Sequence, residues 1–113
     1  MKIAEVGGAA AVISEVFPIK SLTDQRKFIG DLDNLISQGK VNLIFNMDKV
    51  GYLITIELGS LVAAMKKAKA KGGALKLVGV GEFVDNLLKL TNLKSLFEIY
   101  PTEAEAIKSI EDK

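Results

Sequence analysis

Hydrophobic residues along this chain fall into short apolar runs, alternating with longer stretches at helical spacing. Residues 2–6 and 9–16 are two such runs, joined by Gly7-Gly8. Two glycines between extended runs predict a hairpin, because only glycine enters positive φ freely. Phe17-Pro18 should end the second strand, since proline lacks the amide that a ladder needs. Residues 21–38 predict a helix. Phe28, Ile29, Leu32, Leu35 and Ile36 share one face, Ser21 and Asp24 resemble a capping box, and Gly39 is a natural stop. Residues 41–47 (VNLIFNM) are short, apolar and bounded by turn residues, which predicts a buried strand.

The pattern then repeats. Residues 55–71 predict a second helix with Leu58, Leu61, Val62 and Met65 as its buried stripe. Lys66, Lys67, Lys69 and Lys71 crowd its last turns, where cations suit the helix dipole, and Gly72-Gly73 ends it. Residues 74–80 (ALKLVGV) predict another buried strand. Residues 82–96 predict a third helix, with Phe83, Leu87 and Leu90 on one stripe and Val84 and Leu88 beside it. Residues 97–100 form a short last strand, and Pro101-Thr102 opens a final helix. Thr102 and Glu105 make its capping box, and Ala106, Ile107 and Ile110 can pack inward.

The order β-β-α-β-α-β-α-β-α predicts an α/β domain. Its mixed, largely parallel sheet carries an N-terminal hairpin and four helices, with right-handed crossovers. In such sheets the functional edge lies beyond the carboxyl ends of the parallel strands. That edge gathers residues 17–20, 48–57 and 79–82.

Composition narrows the chemistry. The 113 residues, 49% of them hydrophobic, suit one domain over 1–113 with one core. A net charge of +1 supplies no field for nucleic acid or a membrane surface, so neither is an expected partner. There is no cysteine and no histidine, which removes thiolate chemistry, the commonest general base and the commonest metal ligand. The N-terminus lacks a signal-peptide pattern and the apolar runs are too short to span a bilayer, so a cytoplasmic protein is expected. Gly79-Val80-Gly81 lacks the third glycine of a dinucleotide fingerprint, Val84 standing there, and reads as a tight turn. The carboxylates are scattered, and no aromatic residues interleave with the lysines of the second helix. Nothing nominates a catalytic residue, a metal ligand or a cofactor site.

Two features of the second helix remain. Its side away from the expected stripe carries Ile56, Gly59, Ser60 and Ala63, then Lys67, where long charged residues are usual. Small residues there admit either another chain or another element of the same domain, and the pattern leaves both open. Thr55 reads as an N-cap, or as a phosphoacceptor whose phosphate would meet the free amides of a helix N-terminus. A deep polar pocket at the same edge would instead favour a small enzyme or a ligand-binding domain.

LIFNMDKVGYLITIELGSL combines an apolar strand with a polar interruption, Val50, and two helix leucines, Leu58 and Leu61. Lys71-Gly72-Gly73 precedes ALKLVGV, Leu90-Thr91-Asn92-Leu93 precedes Phe97, and PTEAEA follows. With these motifs, residues 41–107 resemble the STAS domain, the fold of bacterial anti-sigma factor antagonists. The resemblance implies a regulatory binding module that is not an enzyme and needs no cofactor. Its partner would be a kinase-type anti-sigma factor, which binds the unphosphorylated protein, releases a sigma factor, and phosphorylates a motif serine to break the complex. Thr55 aligns with that serine and becomes the expected phosphoacceptor. Ile54 stands at the family's aspartate, Ile56 at a small residue and Glu57 at its glycine. Pro18, Ile19, Ile54, Ile56, Glu57, Gly59, Ser60 and Ala63 form the expected partner surface. Other family members are scaffolds, so an adaptor without the phosphorylation switch is the alternative.

Overall fold

The computed structural model of the chain describes residues 1–111. Gly7 and Gly8, at φ 91° and 52°, turn the chain between strands β1 (Lys2–Glu5) and β2 (Ala10–Ser14). The two pair antiparallel, Lys2 opposite Ser14, as the glycine pair predicts. Helix α1 (Leu22–Ser37), strand β3 (Asn42–Asn46), helix α2 (Thr55–Ala70) and strand β4 (Ala74–Val78) follow. Helix α3 (Glu82–Leu90), a 3-10 turn (Lys94–Leu96), strand β5 (Glu98–Tyr100) and helix α4 (Glu103–Glu111) complete the order. The sheet runs β1-β2-β3-β4-β5, and β2 to β5 are all parallel. This is the α/β order that the hydrophobic pattern predicts.

Strand order follows chain order, so successive same-handed crossovers put α1, α2 and α3 on one face. The main core lies there. Phe28 and Leu32 of α1, Leu61 and Met65 of α2, and Val84 and Leu88 of α3 bury against Leu43, Phe45, Leu75 and Leu77. The Phe28 and Phe45 rings meet edge to face, with centroids 6.0 Å apart. On the other face, among the described residues, α4 covers a smaller cluster, Ala106 on Val12, Ile44 and Val78. Leu43 and Phe45 thus serve one core and Ile44 the other, the period of two that a strand imposes. One charge interrupts β4: Lys76 is fully buried, its Nζ 2.9 Å from Glu98 Oε1 and 5.2 Å from the centre of the Tyr100 ring. Its ammonium therefore keeps an ion pair and a π face in place of water.

Two boundaries differ clearly from the sequence pattern. Strand β2 ends at Ser14, ahead of Pro18, because Glu15 enters the left-handed region at φ 53° and leaves the ladder. The Phe17-Pro18 peptide itself is cis. Helix α3 stops at Leu90 instead of reaching 96. Asn92 takes φ 58°, the Leu93 amide bonds the Leu88 carbonyl at 2.9 Å, and the Asn92 amide bonds that of Lys89 at 3.1 Å. This is a Schellman-type end in which asparagine takes the usual glycine position. Lys94 and Lys89 then reach Asp85 at 2.7 and 3.0 Å and pin the 3-10 turn to the helix. Hydrogen bonds from Lys94 first, then Lys89, hold the Asp85 carboxyl below the usual carboxylate range.

Gly73 marks a close approach. A β-carbon there would collide with the carbonyl of Val41, backbone that cannot swing aside. Gly30, inside α1, faces open space. Gly73→Ala should therefore lower stability by about 1–3 kcal/mol through overpacking. Gly30→Ala should raise it by about 0.5–1 kcal/mol, the helix cost of glycine. Urea titration of the two variants against wild type checks both signs.

Candidate functional site

Strands β2, β3 and β4 are parallel, so Ser14, Asn46 and Val78 all deliver their loops to one edge. Local bonds shape those loops. Asn46 accepts the Asp48 amide at 2.9 Å through Oδ1 and donates through Nδ2 to Glu103 Oε2 at 2.6 Å, tying β3 to the start of α4. Gly79 sits at φ 69°, and a side chain there would meet the Asp48 carboxylate, so the two loops touch. At the start of α1, Ser21 Oγ accepts the Asp24 amide at 3.1 Å, while the Asp24 carboxylate takes the Lys20 amide at 2.9 Å.

Helix α2 begins differently from expectation. Ile54, not Thr55, is the N-cap: its backbone is extended and its carbonyl accepts the Leu58 amide at 3.0 Å. An isoleucine side chain cannot accept from the first-turn amides, and Glu57 bonds only the reciprocal half of a capping box. One oxygen of the Glu57 carboxylate takes the Ile54 amide at 2.9 Å, and the other takes the Ile19 amide at 3.0 Å. Glu57 is only 4% exposed, and Ile19 beside it is buried at 2%. One carboxylate thus binds the β2–α1 loop to the first turn of α2. Thr55 is the first helical residue and is exposed.

The face of α2 rich in small residues is partly taken inside the domain. Gln25 of α1 donates to Ser60 Oγ at 3.1 Å, the Ser60 hydroxyl donates to the Ile56 carbonyl at 2.7 Å, and Lys67 pairs with Asp33 at 3.0 Å. Ser60 is fully buried as a result, and of the two open readings of this face α1 fills a large part. Glu57, Ser60, Ala64 and Ala68 join Leu61 and Met65 as the buried set, while the expected Leu58 and Val62 are half-buried. The small side chains let α1 lie close, which turns the buried side toward them.

Of the expected partner surface, Pro18, Ile54 and Gly59 are exposed, Ile56 and Ala63 half-buried, and Ile19, Glu57 and Ser60 buried. The pattern missed two residues at this edge: Leu22 (63% exposed) opens α1, and Phe83 (61%) lies in the first turn of α3, while Tyr52 (65%) lies in the β3–α2 loop that the pattern did place there. Between the β2–α1 and β3–α2 loops lies a hollow of about 620 Å³, open to solvent, lined by Lys2, Phe17, Asn46, Lys49, Tyr52 and Glu57 among others. Among the described residues, no group of three or more carboxylates could hold a metal ion, and no helix is long and apolar enough to cross a membrane.

Comparison with known proteins converges on one family. The model of the STAS domain matches residues 23–106. A Thermotoga maritima protein named as an anti-sigma factor antagonist is 30% identical over 81 residues, 72% of each chain. The NMR structure of TM1081 superposes with a TM-score of 0.80 at 25% identity, over 96% of this chain and 87% of that one. Unphosphorylated SpoIIAA, described as an anti-sigma factor antagonist, gives 0.79 at 18% identity, over 99% of this chain and 96% of its own. SpoIIAA has also been solved in its phosphorylated form. At that identity the likeness to SpoIIAA is one of fold.

The Glu57 bridge is open to test. Glu57→Ala leaves two backbone donors without their acceptor and should cost about 2 kcal/mol, with faster hydrogen exchange at the Ile19 and Ile54 amides. Glu57→Gln, which keeps one carbonyl acceptor, should fall between. Exchange rates measured by NMR at these two amides, with remote core amides as reference, check it.

Proposed function

This chain belongs to the STAS domain family, and on that premise we propose that it is an anti-sigma factor antagonist that binds a kinase-type anti-sigma factor, with Thr55 as the phosphoacceptor that breaks the contact. One observation carries the reading: Thr55 is exposed at the first position of α2, on an edge where Leu22, Tyr52, Ile54 and Phe83 leave large apolar groups in water. Such groups suit a protein contact, since aromatic side chains are enriched at an interface centre and its fully buried part is more apolar than the rest of the surface. A phosphate on Thr55 gains from the first-turn amides of α2 in the free protein. In the complex it adds about two negative charges to an apolar surface that must lose its water, so phosphorylation favours release.

Glu57 is compatible with this chemistry, since its carboxylate turns inward to two amides. The protein itself acts by binding, ATP is the partner's substrate, and its place of action is the cytoplasm. A second reading, an adaptor without the switch, draws on Ile54 and Ile56, which put branched apolar bulk on both sides of the hydroxyl.

Thr55→Glu should weaken binding to the cognate kinase-type partner by at least about tenfold, while Thr55→Ala binds as wild type. Incubation with that partner and ATP should add one phosphate, seen by intact mass and absent in Thr55→Ala. Tight binding with no phosphate added would favour the adaptor, and equal binding by Thr55→Glu would remove the switch.

A further inference from the structure

Helix α3 has two apolar rows: one is buried in the core, and the other touches the core only through its middle residue, Leu87. Val84 and Leu88 are fully buried. Phe83, Leu87 and Leu90, at positions i, i+4 and i+7, form the other, with Phe83 61% and Leu90 83% exposed and Leu87 half-buried. The row runs about 10 Å along the helix, from the carboxyl edge toward the opposite end. No element among the described residues covers Phe83 or Leu90. On a helix of nine residues Phe83 and Leu90 thus leave both ends of the row in water, with part of Leu87 between them.

We propose that this row is a contact for a second copy of the same chain, packed antiparallel about a two-fold axis near Leu87. Such an axis sets Phe83 of one copy on Leu90 of the other and Leu87 beside Leu87. It also brings like against like at its centre, so a charged residue there would repel its own copy. The central flank of the row is Asn86, whose amide both donates and accepts and so can pair with its own copy. Charges stand farther out, with Glu82 in the first turn and Lys89 in the last, on the same side of the helix. An antiparallel copy brings the acidic end of each helix toward the basic end of the other. Lys89 already holds Asp85, yet its side chain stays 57% exposed and its ammonium has further donors. The charge order thus fits the chain's own antiparallel copy. The row shares Phe83 with the edge proposed above but does not involve Thr55, and Leu90 lies outside that edge.

Sedimentation of the full chain over a wide concentration range tests the proposal. Wild type should show a reversible dimer with dissociation at or below about 1 mM. Leu90→Glu, an exposed position whose change leaves the core intact, should raise the dissociation constant at least about tenfold with an unchanged thermal midpoint. The chain has no cysteine, so single thiols report cleanly. Asn86→Cys should oxidise to a disulfide dimer much faster than Lys66→Cys, an exposed control on α2. A monomer at all concentrations, an unaffected Leu90→Glu dimer, or equal cross-linking of the two thiols would each overturn it. The first of these would leave the row to a different protein.

Discussion

The candidate edge depends on a single buried carboxylate. Glu57 lies one turn inside α2, yet its two oxygens hold the Ile54 amide at the helix start and the Ile19 amide on a different loop. Few side chains can serve both. A carboxylate has two acceptor oxygens and no donor, and both amides here lack a strand or helix partner. The bridge fixes the Ile54 backbone at the helix start, seats Ile19 in the core, and leaves Thr55 and Ile54 facing outward. A glycine at position 57 would supply none of this, so the departure from the family motif is structural here.

Around that bridge, small residues decide which face of α2 remains available. Ser60, Ala64 and Ala68 are buried because α1 lies close beside them, and Gln25 and Asp33 on α1 reach Ser60 and Lys67. A surface that looks free in one dimension is thus used within the domain. The exposed apolar groups sit elsewhere. Leu22, Tyr52, Ile54 and Phe83 rim the carboxyl edge, and Leu90 continues from Phe83 down α3. Two neighbouring surfaces follow: an edge that centres on Thr55, and a helix side whose charge order matches its own reverse.

The sheet explains why these features share an edge. Four parallel strands in chain order send every crossover the same way, so three helices begin at one end and cover one face. The other face carries α4, and there a buried lysine is tolerated because Glu98 and Tyr100 stand beside it in the next strand.

Element order, the hairpin and the helix starts at Ser21 and Thr102 were legible in the sequence, because period, glycine and capping residues act over a few positions. So was the family, since the strings that carry the likeness are local. The stopping point of α3 was not, because Asn92 takes a left-handed conformation that asparagine tolerates but does not require. Nor did local pattern identify the N-cap of α2, which depends on a carboxylate that also binds a loop 38 residues earlier. The buried state of Ser60 and Glu57, and the exposure of Phe83 and Leu90, were likewise decided by which helices came to lie side by side. Periodicity sets which residues share a side of a helix. Only packing in three dimensions decides which side meets the core and which meets water.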